Sequence, residues 1–394
     1  MDRSPKRRRV ALFRNNFLPY SETFIHDELR FHERYDSTVM ARTLRNADRF
    51  PGHDVVAVDE IPGPRSRAAS LWYAITARSG KIERAMSAGS FDIAHAHFGH
   101  NGIYAMGFAR RHRIPLAVSL HGRDVTILLG GDRYKPGWWY YTARYRRLFE
   151  EAALFLAASE ELKELITSVG CPKHKVIVHR LGVDIDSFHP DPARREADPP
   201  LVVMVGRFVE KKGHEYGIRA CAAARDRGRP VRLAIIGDGP LKARYETLIR
   251  ELELEELVEM PGSLKHSEVL DHIVRATVVL APSVVAANLD RESGLIVVKE
   301  ASACGVPAIG TIHGGIPEII DEGVTGFLVP ERDPDTLGDR LVRLLEDEDL
   351  RAGFAAAARA KMEAQYDIKK RVAALEDIYD SLVDGGRPEE EVPR

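Results

Sequence analysis

Glu292-Ser-Gly-Leu-Ile-Val-Val-Lys-Glu300 places two carboxylates eight residues apart around a Ser-Gly turn and an apolar run of helical character. Upstream, Gly206-Arg207-Phe-Val-Glu-Lys-Lys212-Gly213 closes an apolar, strand-like segment; downstream stands Gly314-Gly-Ile-Pro-Glu318. Gly294 allows a sharp turn before the helix. The first backbone N–H groups of that helix have no intrahelical partners and suit anionic or hydroxyl oxygens. Glu292, just ahead of the helix, can accept hydrogen bonds from sugar hydroxyls. Glu300 would lie about two turns on, roughly 12 Å along the axis, with acceptor sites enough for both hydroxyls of a ribose. Arg207 offers a planar fork and Lys212 a point charge to a diphosphate. Together these residues suit a ligand with both a diphosphate and many hydroxyls, which describes a nucleotide sugar. Taken singly, each has a plainer reading. Glu-x7-Glu is also the solvated face of an amphipathic helix, Glu210-Lys-Lys212 a surface charge run, and Gly237-Asp-Gly239-Pro240 an ordinary turn after a strand.

The first half carries a second constellation. Asp92-Ile-Ala-His95-Ala-His97-Phe-Gly99 ends one strand, and Val118-Ser-Leu-His121-Gly-Arg-Asp124 ends the next. His95 and His97 share a strand face. A His-x-His pair can ligate a metal, but a site needs further ligands of matched geometry. No cysteine or carboxylate is spaced to complete the set, so no metal is expected. Asp184-Ile-Asp186 has the form of a metal-binding Asp-x-Asp, yet it follows no central strand and reads as structural. In the first loop, Ser21-Glu22-Thr can serve as a helix cap and as an acceptor-side contact.

These residues need elements to hold them. Short apolar runs fall at Val10–Phe13, Thr38–Met40, Val55–Val58, Ile93–Ala96, Leu116–Leu120, Leu154–Ala157 and Val176–Val178. A second set falls at Leu201–Val205, Leu233–Ile236, Leu257–Met260, Val278–Ala281, Pro307–Gly310 and Gly326–Val329. Runs apolar on both faces, separated by helix-length segments, predict parallel sheets. Two sets predict an α/β protein of two Rossmann-like domains. The expected division is an N-terminal acceptor-side domain over 1–190, a charged, proline-rich linker over 191–200, and a donor domain over 201–365. A C-terminal helix over 366–383 is expected to pack back toward the N-terminal domain, and 384–394, rich in Gly, Pro and Glu, to be a disordered tail.

The chain has 394 residues, a net charge of −2 and three cysteines, Cys171, Cys221 and Cys304. The length suits two domains. The balanced charge gives no field for nucleic acid, and the scattered, odd cysteines fit a reducing cytoplasm. No apolar run approaches the roughly 20 residues of a membrane span, and no signal peptide is expected behind Lys6-Arg-Arg-Arg9. Peripheral contact with the inner face of a membrane is a further expectation. Tyr134 to Phe149, with Trp138-Trp-Tyr-Tyr141 and Arg144-Tyr-Arg-Arg147, reads either as an acceptor or membrane surface or as a helix with aromatics in the core.

The segment from about Leu201 to Val329 resembles the donor domain of retaining family 4 glycosyltransferases with the GT-B fold. The likeness rests on Gly206-Arg207…Lys212-Gly213, Ile236-Gly-Asp-Gly-Pro240, Glu292-Ser-Gly294…Glu300-Ala-Ser-Ala-Cys-Gly305-Val-Pro307, Gly314-Gly-Ile-Pro-Glu318 and Gly323-Val-Thr-Gly326-Phe-Leu-Val329. The Pro-x-Ser-Glu-Thr-Phe-Ile pattern from Pro19 resembles the branch of exopolysaccharide and colanic-acid transferases. The resemblance implies two domains facing across a cleft. It also implies transfer of a sugar from a nucleoside diphosphate sugar to an acceptor hydroxyl of a sugar, glycolipid or small molecule, with retention and without metal or other cofactor. By the same resemblance Arg207 and Lys212 hold the diphosphate, Glu292 and the amides of Ser293, Gly294 and Leu295 the donor sugar, and Glu300 the ribose. Gly206, Gly237 and Gly239 border the site, and Ser263 and Leu264 border the base. His121 contacts the donor sugar and its phosphate, and His97 stands on the acceptor side with Ser21 and Glu22. One departure stands out: the family often reads Glu-Gly-Leu-Pro where this chain has Glu292-Ser293-Gly294-Leu295. A sugar-nucleotide epimerase or hydrolase, and a non-catalytic nucleotide-sugar-binding partner, are the competing readings.

Overall fold

The computed structural model describes residues 7–17, 23–46, 51–59, 63–196 and 198–388. Ser21 and Glu22 lie outside the described residues. The chain forms two compact units. One contains the chain up to Gly182 together with the residues from Ile368 onward; the other is Val183–Asp367. The division therefore falls at Gly182/Val183, and residues 191–200 lie inside the second unit.

In the first unit, strands β1 (Arg8–Phe13), β2 (Asn16–Phe17), β3 (Tyr35–Leu44), β4 (Asp54–Asp59), β5 (Ile93–His97), β6 (Leu116–Leu120), β7 (Leu154–Ala157) and β8 (Val176–Val178) form one parallel sheet. Its order is β2-β3-β1-β5-β6-β7-β8, with β4 also on β3. Every residue of β5, β6 and β7 is buried, as strands covered by helices on both faces require. The C-terminal helix, Ile368–Val383, contributes Leu375, Ile378 and Tyr379 to an apolar cluster with Val10, Ile93 and Ala117. Arg34 bonds Glu376, Asp377 and Asp380 on that helix.

In the second unit, β9 (Leu201–Val205), β10 (Arg232–Ile236), β11 (Val258–Gly262), β12 (Val278–Ala281), β13 (Ala308–Thr311) and β14 (Gly326–Val329) form a parallel sheet ordered β11-β10-β9-β12-β13-β14. The order reverses beside β9, and ligands of such sheets bind beyond the strand carboxyl ends at that reversal. Val203, Ala234, Val279 and Ile309 are fully buried or nearly so along the sheet. After β14 the chain is helical over Pro334–Glu346 and Glu348–Lys361, then widens into a π turn at Met362–Tyr366. The three cysteines are buried and free. Burial pushes each thiol up to about 12.

Candidate active site

The loops at the carboxyl ends of β9, β10 and β11 are stitched to one another. The Gly206 N–H donates to Ile236 O (2.9 Å), the Gly237 N–H to Gly262 O (2.9 Å), and the Phe208 N–H to Asp238 O (2.9 Å). Gly237 has φ 146°, and a Cβ there would stand 2.0 Å from the Gly206 carbonyl oxygen. Only glycine permits this approach. The fold thus gathers Gly206, Gly237, Gly239 and Ser263 at one sheet edge, with Ser263 exposed and Leu264 packed partly into the core. Arg207 is exposed on the first of these loops, and its guanidinium makes no hydrogen bond or ion pair among the described residues. Lys212 lies along Gly206, where an added Cβ would meet its side chain at 2.8 Å.

Glu292 is the centre of charge. Its carboxylate is buried, with Lys212 Nζ 3.1 Å from Oε2 and Lys211 Nζ 3.5 Å from Oε1. Lys211 also lies 3.4 Å from Asp290 Oδ1. Burial alone would push the Glu292 carboxyl up, but the two ammonium groups outweigh it and hold it down at about 2. Burial opposes the charge on Lys211 as well, yet Glu292 and Asp290 raise its affinity for the proton above that of a free lysine. The backbone N–H of Glu292 donates to His313 Nε2 (3.0 Å), so His313 carries its proton on Nδ1, 2.7 Å from Glu331 Oε1. This chain of bonds fixes the backbone that aims Glu292.

The following helix spans Ile296–Ala303. Glu292 therefore sits four residues before the first helical residue, and the two glutamates are not two turns apart on one axis as the spacing predicts. The turn into the helix is made by Leu295, at φ 11° and ψ 71°, behind Ser293 and Gly294. Glu300 is buried inside the helix and faces His266, whose Nε2 is 2.9 Å from Oε1. His266 starts the helix after β11, so the ribose candidate is held by the loop that also carries Ser263 and Leu264.

In the first unit, His97 and His121 end adjacent strands. Their rings stack with 5.4 Å between centroids and 9° between planes, and His97 Nδ1 is 3.1 Å from His121 Nε2. Phe24 and Phe98 lie against His121 at 4.8 and 4.6 Å. Asp124 accepts from the backbone N–H of both Gly99 (2.8 Å) and His121 (3.1 Å), tying the two strand ends together. Burial pushes its carboxyl up to about 6 against those bonds. Burial, then the nearby Arg14 charge, lowers His97 to about 3. His121 falls well below the usual imidazole range, chiefly by burial. Both are neutral at physiological pH.

The carboxylate that the spacing around His95 and His97 lacks arrives from elsewhere. Glu28, on the helix Thr23–Arg30, places Oε1 3.1 Å from His97 Nε2 and 4.0 Å from His95 Nδ1. The three residues offer ligand atoms within 4.8 Å of one another. However, His95 Nδ1 already bonds Tyr379 Oη (2.6 Å) and its Nε2 bonds Ser119 Oγ (2.8 Å). The facing atoms Glu28 Oε1 and His97 Nε2 are buried and have no hydrogen-bond partner among the described residues. Asp184 accepts from the N–H groups of Asp186 and Ser187, closing a local turn.

Lys211, His266, His313, Glu331 and Glu28 stand beside the expected residues and were not singled out by sequence. His313 directly precedes the Gly314-Gly315 pair, and Lys211 precedes Lys212; their neighbours' motifs were the available signal.

Two parallel α/β units, one with a lysine–glutamate cluster at its switch point, define a two-domain nucleotide-sugar enzyme of the GT-B class. Profiles described as Glycosyltransferase Family 4 and Glycosyl transferases group 1 match residues 20–187 and 186–361. A protein of Escherichia coli K12 named for colanic acid biosynthesis, the glycosyltransferase WcaL, is 35% identical over 293 residues, 72% of this chain and 70% of that one. The amylovoran biosynthesis glycosyltransferase AmsK of Erwinia amylovora is 31% identical, covering 74% of this chain and 70% of AmsK. Anabaena HepE, solved with UDP-glucose, shares the fold at TM-score 0.75 and 18% identity, over 95% of this chain and 99% of HepE. The chain belongs to the family 4 glycosyltransferases, in the exopolysaccharide branch.

Proposed function

We propose that this glycosyltransferase moves a sugar from a nucleoside diphosphate sugar to an acceptor hydroxyl, with retention, in the assembly of a bacterial polysaccharide or glycolipid. The observation that carries the reading is the buried Glu292 carboxylate between Lys211 and Lys212 at the sheet's switch point. Arg207 and Lys212 take the diphosphate. As the bond from the anomeric carbon to the phosphate oxygen breaks, charge grows on that oxygen, and these cations with the amides of Ser293, Gly294 and Leu295 stabilise it. No metal is required for that role. Glu292 accepts from donor-sugar hydroxyls, and Glu300 from the ribose. The acceptor hydroxyl bonds to the anomeric carbon, and its proton passes to the departing phosphate oxygen. His121 contacts the donor sugar and its phosphate as a neutral imidazole, with His97, Ser21 and Glu22 on the acceptor side.

The polysaccharide setting is supported by WcaL and AmsK, named for colanic acid and amylovoran biosynthesis. The test is release of nucleoside diphosphate from a panel of donors, with and without sugar and lipid-linked acceptors. The reading expects acceptor-dependent release for one donor, lost in Arg207→Ala. Acceptor-independent conversion of the donor would favour an epimerase or hydrolase instead.

A further inference from the structure

The helix Pro64–Thr76 turns large apolar side chains to solvent. Leu71, Trp72 and Ile75 are 63%, 60% and 53% exposed. Spaced one and four residues apart, they form one ridge, while Tyr73 between them is fully buried. A solvated apolar ridge of this kind marks an interaction surface.

The helix itself carries only basic charge, and the acidic group bound to it is Asp59, whose Oδ1 accepts from Ser66. Arg65, Arg67 and Arg78 are exposed and make no ion pair among the described residues, and Lys81 follows. No acidic residue occurs from 63 to 82. Beneath the ridge, the buried Tyr73 begins a ring stack that leads to a further exposed aromatic. Tyr73 packs on Tyr104 (5.1 Å between centroids), Tyr104 stacks on Tyr140 (5.3 Å), and Trp139, 53% exposed, abuts Tyr140 (5.7 Å). The Tyr104 hydroxyl donates to Ala74 O (3.0 Å), locking this stack to the helix. The Arg144 guanidinium lies over Tyr140 at 4.1 Å.

We propose that this face, built on Leu71, Trp72 and Ile75 and flanked by Arg65, Arg67 and Arg78, docks on an anionic phospholipid bilayer. The chemistry matches in both parts. Tryptophan and aliphatic side chains enter the boundary between headgroups and acyl chains, and unpaired arginines meet lipid phosphates. No helix of the described chain is long and apolar enough to cross a membrane, so contact here is peripheral. A soluble acidic protein would also meet the arginines, but it would not move with lipid.

The test is co-sedimentation of the full chain with vesicles of phosphatidylcholine containing phosphatidylglycerol, and with vesicles of phosphatidylcholine alone. The wild type is expected to bind the anionic vesicles about tenfold more tightly, with the difference shrinking as salt rises. The triple change Leu71→Ser, Trp72→Ser and Ile75→Ser is expected to lose most of that binding while its thermal unfolding midpoint is unchanged. Arg65→Glu with Arg67→Glu should weaken binding to anionic vesicles only. Failure of the folded wild type to bind anionic vesicles at low salt overturns the proposal. So does undiminished binding by the triple variant, or loss of binding only on charge reversal at Arg146 and Arg147. Acceptor-dependent release of nucleoside diphosphate in the absence of vesicles is measured in parallel and tests the transferase reading separately.

Discussion

Lys212 Nζ stands 3.1 Å from Glu292 Oε2, although eighty residues separate the two in the chain. The pair joins the loop after β9 to the segment before the Ile296–Ala303 helix and holds a carboxylate ionised where burial would otherwise neutralise it. Lys212→Ala leaves Lys211 to hold Glu292 but removes the cation assigned to the diphosphate. The expected outcome is a turnover number lower by about 10²-fold or more, with folding retained by circular dichroism. Wild-type turnover in this variant would remove Lys212 from the mechanism.

The same carboxylate links stability to acid. Glu292 has a folded value of about 2 against 4.5 for an ordinary glutamate. A depressed carboxyl contributes stability fully above its unfolded value and loses it as pH falls through the folded one. The contribution, roughly 3 kcal/mol, is present at neutral pH and is lost between about pH 4.5 and 2. Glu292→Gln should therefore be less stable than wild type at pH 7, and the gap should narrow at pH 3, measured by urea midpoints. A gap independent of pH would show that the carboxylate is not held ionised.

Buried neutral histidines act over a higher range. Burial lowers His32 and His214 to about 4 and His97 to about 3, against an ordinary 6.5. The unfolded chain binds these protons first, so stability is present above about pH 6.5 and declines as pH falls toward 4. Each contributes a slope of up to about 1.4 kcal/mol per pH unit. His97→Gln should flatten part of this slope. A stability curve level from pH 7 to 5 would contradict the burial of these rings.

Gly213 tests the close packing behind the cation loop. It has φ 61°, and a Cβ there would fall 1.9 Å from the Pro282 carbonyl oxygen. Gly213→Ala is expected to cost about 2 kcal/mol or more, seen as a lower thermal midpoint for the second unit. An unchanged midpoint would mean that this backbone has room the structure does not show.

Glu28 stands against His97 and is expected to orient it. Glu28 Oε1 and His97 Nε2 face each other at 3.1 Å, both buried and without a hydrogen-bond partner among the described residues. With His97 Nε2 protonated toward Glu28, its Nδ1 accepts from His121 Nε2. Glu28→Ala should lower turnover by about tenfold with little change in donor affinity. Nitrogen-15 shifts of His121 read the tautomer directly, and unaltered shifts in the variant would break the chain at Glu28.

The strands were readable because fully buried parallel strands write themselves as short apolar runs, such as Leu201–Val205 and Leu116–Leu120. Among the described residues the one strand missed, Asn16–Phe17, has two residues and no pattern. The division of the chain was harder. The charged Asp191–Pro200 stretch reads as a linker, yet Glu196 is bound by Arg232 and Arg275 inside the second unit. Composition does not reveal such long-range pairing. The candidate donor residues were legible where glycines punctuate strand ends. Their supports were not: Glu28 on a short helix looks like an exposed glutamate, and His313 and His266 meet Glu292 and Glu300 only through the fold. The Glu292–Glu300 spacing misled because the helix begins at Ile296.

The most direct measurement is calorimetric titration of the protein with UDP, GDP, ADP and TDP, repeated with EDTA and with Arg207→Ala. The account predicts saturable binding of one nucleoside diphosphate, insensitive to EDTA and weakened about tenfold or more by the substitution. No binding of any nucleoside diphosphate to the folded protein, or binding indifferent to Arg207, would contradict it.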